Sequence, residues 1–343
     1  MSTPLTFGVE FEFLVPYLIK GTPDPSPQET PIDVIDPAAI NARYDFDLTD
    51  AGEDAVRNRI ESTIQNGGHP ASQIDYEQIM PTDWNVDSDN TLHPDDRMEA
   101  TYGETWTQVE IASPVLRLPR GAARMQQVCQ LLRRNHRVHT PLSCGVHVHV
   151  GDENRGFSVS TLQNLAAFLW TFEKQFASLH PPHRQGGAYC KGMRRNSNLS
   201  SHRNNIPAGI DKIYSTPRVR EIVALIHRTF DECSIEGNGH FDRFMAYNFT
   251  NLVFDNGRRT VEFRQFEGTM DGAEVANWVR CCVGLVQFAK ETSKNVMRAF
   301  LKDEAAKVSA SSVRQVLVTI GMVESAMWAG GRSVRLYPNG FNL

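Results

Sequence analysis

Three short segments pair ionisable side chains two residues apart on an apolar background. Gly8-Val9-Glu10-Phe11-Glu12-Phe13 carries two carboxylates, and Cys144-Gly145-Val146-His147-Val148-His149-Val150 carries two imidazoles. Thr260-Val261-Glu262-Phe263-Arg264-Gln265-Phe266 carries a carboxylate and a guanidinium. Residues two apart in a β-strand share a face, so each segment buries its Val and Phe side chains and presents its polar pair on the other side. Gln108-Val109-Glu110-Ile111-Ala112 adds Glu110 on the same principle. Adjacent carboxylates repel unless cations or donors lie between them. Metal ions held by Glu and His, with phosphate as a further ligand, resolve that repulsion. Carboxylates dominate and no thiolate takes part, which favours Mg²⁺ or Mn²⁺ over zinc.

Each feature also has a plainer reading. A His-x-His strand can be a satisfied polar face, and the motif is shared by zinc hydrolases and cupins. Glu-x-Glu is common on surface strands, Glu110 alone fits a solvated edge, and Glu262 with Arg264 fits a structural ion pair. The stretch 84–92 reads as a strand followed by a turn rich in Asp and Asn. There Asp89 either serves the turn or reaches a metal or nucleotide. Arg184, Lys191, Arg194, Arg195 and Arg203 form a basic cluster. It is either a solvated face or a cradle for ATP phosphates, which Arg contacts bidentately.

These residues need strands to position them. Residues 5–15 read as a strand by alternation, and further strand candidates lie at 84–86, 92, 98–101, 107–111, 144–151, 243–254 and 259–267. Asp255-Asn256-Gly257 supplies a hairpin turn between the last two. Helices are expected at 51–65 (capped by Asp50), 120–138, 161–179, 217–230, 271–295 and 309–321. Residues 20–37, crowded with Pro and Asp, read as a surface loop or insertion, and 183–213 as irregular. Early and late strands all contribute to the polar face, so we expect one α+β domain over 1–343, built on an antiparallel sheet.

At 343 residues with 41% hydrophobic and 22% charged content, the chain has ample material for a folded core. Its net charge of −5 argues against a nucleic-acid-binding surface. Six scattered cysteines without a CxxC pair read as reduced thiols. Neither a secretion signal nor a membrane-spanning segment is apparent, so a cytoplasmic protein without membrane contact is expected.

Five motifs taken in order resemble the amidoligase family of carboxylate–amine ligases, relatives of glutamate–cysteine ligase and glutamine synthetase. They are 7–13, Trp84 with Asp89, 109–114, 144–151 and 261–271, which together span most of the chain. The resemblance implies a curved antiparallel sheet with helices packed on its outer face, and ATP, Mg²⁺ ions and the substrate carboxylate meeting over it. It implies that Glu10, His147 and Glu262 hold the metal bridging the β- and γ-phosphates, and that Glu12 and Glu110 hold the metal nearer the substrate. Arg264 then stabilises the transferring phosphoryl group, and His149 hydrogen-bonds phosphate or substrate. Arg184, Lys191, Arg194 and Asp89 are the candidates for nucleotide contact. The third carboxylate for the second metal has three candidates: Asp89, Glu99 and Glu104. The expected activity is ATP-dependent amide-bond formation between a small-molecule or peptide carboxylate and an amine, with oligomeric state and substrate identity open. A metal-dependent amide hydrolase and a non-catalytic binding relic are the alternatives.

Overall fold

The computed structural model describes residues 4–38, 48–73, 82–153, 155–228, 241–254 and 258–341. The 255–257 turn and Cys233 fall outside what is described, and Asp50, expected to cap a helix from 51, instead lies within the helix Leu48–Asn66. The chain is mixed α+β. Among the described residues it has eight strands and eleven α-helices, and the pairings are mostly antiparallel. No described helix is long and apolar enough to cross a membrane. The described cysteines are buried.

The chain divides into two compact units, one of Gly8–Val146 with Glu267–Ala276, the other of Met1–Phe7, His147–Phe266 and Asn277–Leu343. The strands are β1 (Thr6–Ile19), β2 (Asp33–Ile35), β3 (Ala71–Gln73), β4 (Trp84–Asp87), β5 (Trp106–Ala112), β6 (Gly145–Gly151), β7 (Tyr247–Asn248) and β8 (Thr260–Glu267).

In the first unit the strand order is β3-β4-β5-β1, with β2 beside β1. Alternation works as expected: in β5, Thr107, Val109 and Ile111 are buried while Gln108, Glu110 and Ala112 are half-exposed. Val56, Ile60 and Ile64 of the helix Leu48–Asn66 are fully buried, and that helix packs against β3, β4 and β5. The apolar faces of these strands are therefore covered, leaving the carboxylate face on the other side.

Two expectations in this unit need correction. Residues 98–101 are helical, within Asp96–Tyr102, because Asp95 caps that helix by accepting from the Met98 N–H at 2.9 Å. Part of 20–37 is also a strand, β2, in parallel register with β1 (Tyr17 opposite Asp33). Buried Arg137 ties down the rest, donating to Asp24 Oδ1 and Oδ2 (2.8 and 2.9 Å) and to the carbonyls of Ser26 and Thr30.

In the second unit the order is β6-β8-β7. The helix Val159–Ala177 buries Phe168, Phe172 and Phe176 against Ile206–Tyr214, Lys294–Ala305 and Val219–Ile226. The strand expected at 243–254 shrinks to Tyr247–Asn248, and Thr250–Leu252 is a 3-10 turn. Asn248 Oδ1 accepts the Thr250 N–H (2.9 Å), an Asx-type turn that ends the strand. The stretch 183–213 contains Met193–Asn196 and Ile206–Tyr214 as helices. Two helices were not anticipated, Lys294–Ala305 and Val323–Leu336.

Candidate metal and phosphate sites

In the first unit, antiparallel register sets Glu12 directly opposite Glu110, and Glu110 opposite Asp87 on β4. Two residues beyond Asp87, the chain turns and brings Asp89 back toward the same row. Carboxylate oxygens of Glu12, Asp89 and Glu110 lie within 4.8 Å of one another. Among the three candidates for a third carboxylate, Asp89 is the one that joins the pair; Glu99 and Glu104 are exposed in and after the helix Asp96–Tyr102.

Two backbone donors orient this cluster. The Gly145 N–H donates to Glu12 Oε2 (2.7 Å), and the Thr91 N–H donates to Asp89 Oδ1 (2.8 Å). Glu12 is buried while Asp89 and Glu110 are half-buried. Like charges this close favour a cation among them. Glu10 lies on the same strand face as Glu12, opposite Ala112 of β5, and is half-buried.

In the second unit, buried Glu262 is the hub. Its Oε2 accepts from Asn248 Nδ2 (2.7 Å), the residue directly opposite on β7. Its Oε1 accepts from Arg264 Nη1 and lies 3.6 Å from His147 Nδ1 and 3.9 Å from His149 Nε2. Glu262 and Arg264 therefore form the ion pair that was the plainer reading of this strand. A guanidinium only donates, so His147 Nδ1, 3.4 Å from Arg264 Nη1, acts as acceptor there. His149 Nδ1 meets the Thr260 hydroxyl at 3.1 Å, which turns its Nε2 toward Glu262.

Arg264 is held from several sides. Its backbone N–H donates to the Ala246 carbonyl (2.9 Å) and its Nε to the Tyr189 carbonyl (3.3 Å). Its guanidinium stands 5.9 Å from the Phe244 ring centre. Buried Arg184 donates from Nη2 to the Arg264 carbonyl (2.5 Å), so it positions this strand from behind. Lys191 pairs with Asp242 (2.7 Å), and its backbone bridges to Phe244 and Ala246.

Arg194 has a different setting. Phe172 interrupts the helix Val159–Ala177 with non-helical backbone angles (φ −106°, ψ 19°). Arg194 donates to the Trp170 and Thr171 carbonyls at that kink (2.9 and 2.6 Å), and its backbone N–H meets Glu173. Burial raises the Glu173 carboxyl above its ordinary range, opposed by Arg194, and burial lowers Arg194.

Two supporting residues escaped the sequence reading. Asn248 was detectable as a lone amide in the apolar run Met245-Ala246-Tyr247-Asn248-Phe249. His227 donates from Nδ1 to the Asp242 carbonyl (2.7 Å) and accepts the Phe249 N–H at Nε2 (3.0 Å), fixing the backbone just after Asn248. Burial pushes this imidazole down to about 4. Nothing local in the sequence flags it, because its partners are backbone groups.

Residues 3–286 match a family described as "Putative amidoligase enzyme". The chain belongs to this family. No curated protein matches it. The matched span contains all five motifs and every candidate residue above, so the carboxylate cluster and the Glu262 hub both belong to the family region. Residues 287–343, with the helices from Lys294–Ala305 onward, lie beyond it.

Proposed function

We propose that this amidoligase-family chain is an ATP- and Mg²⁺-dependent carboxylate–amine ligase working through an acyl phosphate, on the curved sheet of the glutamine synthetase type. The observation that carries the reading is the gathering of Glu12, Asp89 and Glu110. The three carboxylates make an all-oxygen set of the kind Mg²⁺ prefers, and would hold one such ion. Glu262 and His147 would hold a further ion. Bound metal supplies neutralisation of phosphate charge and orientation of the γ-phosphoryl group.

The chemistry follows from the inertness of a carboxylate toward amines at neutral pH. A carboxylate oxygen attacks the γ-phosphorus and ADP leaves, giving the acyl phosphate. The amine then attacks the carbonyl carbon, loses a proton, and phosphate leaves with the C–O bond electrons. Arg264 places its cationic fork near the transferring group. With a metal held by Glu262, the Arg264 guanidinium would be available to phosphate, its base kept in place by the Tyr189 and Ala246 carbonyls. Lys191 and His149 add donors to phosphate or substrate, and Asn248 and Arg184 hold the groups that touch it. Arg194, engaged at the helix kink, supports the scaffold.

The test is ADP release from ATP and Mg²⁺ with pooled amino acids, polyamines and small peptides. Release that requires both a carboxylate and an amine supports ligation. Amide cleavage without nucleotide overturns it in favour of a metal-dependent hydrolase.

A further inference from the structure

The helix Val323–Leu336 lies beyond residues 3–286 of the family match, yet it reaches the strand that carries Arg264. Arg332 is buried on the inner side of that helix. Its Nε donates to the Leu179 carbonyl (2.7 Å), and its guanidinium stands 4.3 Å from the ring centre of Phe266. Phe266 is on β8, two residues after Arg264. Just past the helix, the Tyr337 hydroxyl donates to the His180 carbonyl (2.5 Å). Gln185 Nε2 donates to the same carbonyl (2.6 Å) and to the Tyr337 oxygen. Leu179 and His180 lie between the end of the helix Val159–Ala177 and Pro181-Pro182. The prolines bring no N–H, so donors for the Leu179 and His180 carbonyls come from these side chains.

The stretch that receives them aims Arg184. After Pro181 the chain makes the 3-10 turn Pro182–Arg184, with the Arg184 N–H donating to the Pro181 carbonyl (2.9 Å). Arg184 is buried, and its Nη2 donates to the Arg264 carbonyl (2.5 Å). Two routes thus run from the C-terminal helix to the Arg264 strand. One goes from Tyr337 through His180 and Arg184 to the Arg264 backbone, the other from Arg332 directly to Phe266. Every residue on them belongs to the second unit. We propose that the helix Val323–Leu336 with Tyr337 is a positioning element for Arg264. It sets the Pro182–Arg184 turn and, through Arg184 and Phe266, where β8 presents the guanidinium. This role rests on the proposed part of Arg264 in phosphoryl transfer. There a misplacement of about 1 Å can cost about a hundredfold in rate.

Tyr337→Phe removes the hydroxyl and keeps a ring to pack edge-on against Phe341, so the chain should fold. Arg332→Met is the stronger variant, and thermal melting checks both. Two readouts separate positioning from general stability. In amide hydrogen exchange followed by mass spectrometry, Tyr337→Phe should speed exchange about fivefold in peptides covering 179–185 and 260–267, and leave Lys294–Ala305 unchanged. In steady-state ADP release it should lower kcat about tenfold at unchanged KM for ATP. With Arg264→Lys already present it should lower kcat no further, because both changes then act through the same group. Exchange at 260–267 that matches wild type in both variants would overturn the proposal, whether or not the chain turns over ATP. So would an additive loss of kcat in the double variant. A wild-type chain without ATP turnover would remove the ligase reading of Arg264, and the exchange result alone would then decide whether the helix holds the strand.

Discussion

Replacing Asp89 with asparagine separates the charge of the carboxylate cluster from its shape. Asparagine keeps an Oδ1 that accepts the Thr91 N–H, so the turn survives. What disappears is one negative charge within 4.8 Å of the Glu12 and Glu110 carboxylates. At that separation each like-charge pair repels by about 1 kcal/mol in bulk water and by about 3.5 kcal/mol at an effective dielectric near 20. Asp89 and Glu110 are half-exposed, so we take the low end, about 2 kcal/mol for the two pairs together. Without divalent cations, Asp89→Asn should therefore be more stable than the wild-type chain, melting about 3–4 °C higher in EDTA. With Mg²⁺ or Mn²⁺ the order should reverse. A cation at a hundred times its dissociation constant stabilises the wild-type fold by about 2.7 kcal/mol, and the variant should lose most of that gain. The assay is thermal melting of both chains in EDTA and across a metal titration. A variant that melts below wild type in EDTA, or keeps the full metal-dependent shift, refutes the metal-site reasoning.

The supporting residues give sharper separations between roles. Asn248→Ala removes the donor to Glu262 Oε2 and the acceptor of the Thr250 N–H and should lower ATP turnover about 10–100-fold while costing about 1–3 kcal/mol of stability; unchanged turnover in steady-state ADP release would deny it a positioning role. Arg194→Met leaves the kink carbonyls without their donor and takes the guanidinium away from Glu173, which keeps only the backbone N–H of residue 194, and should destabilise the fold by about 3 kcal/mol in urea titrations. Lost ATP affinity at unchanged stability would instead return Arg194 to the phosphates. His227 ionises at about 4 in the folded chain, against about 6.5 when unfolded. Below pH 6.5 the unfolded state therefore binds the extra proton. Its contribution, about 3 kcal/mol, is complete above pH 6.5 and is lost progressively as the pH falls toward 4. Denaturation midpoints measured over that range should fall more steeply with acid in wild type than in His227→Gln. His180 is lowered in the same direction by burial, so some acid sensitivity remains in the variant.

Strand periodicity made the carboxylate row of one unit and the polar strand faces of the other legible from the sequence. Glu12 and Glu110 came from alternation against Val9, Phe11, Val109 and Ile111, and antiparallel register then set them opposite each other. Glu262 and Arg264 were readable in the same way, and their pairing on one strand face is the ion pair that the spacing allowed. Asp89 stood among three candidates because a turn has no period; only its return toward the Glu12 row separated it from Glu99 and Glu104. The segment 98–101 was misread because Met98 and Tyr102 bury a helical face, and a run that short fits both periods. Arg194 looked like a phosphate ligand because sequence counts charges and cannot show that Phe172 breaks a helix whose carbonyls need a donor.

The central claim is that ATP activates a carboxylate by phosphorylating it. Once a carboxylic acid that supports turnover has been found, it should be prepared with ¹⁸O in both carboxylate oxygens and turned over with ATP, Mg²⁺ and amine, and the released phosphate analysed by mass spectrometry. An acyl phosphate transfers a carboxylate oxygen to phosphorus, so the account predicts phosphate carrying one ¹⁸O for each amide formed, and no labelled phosphate from Glu262→Ala. Unlabelled phosphate released alongside amide would contradict it, since the phosphoryl group would then never have been on the carboxylate.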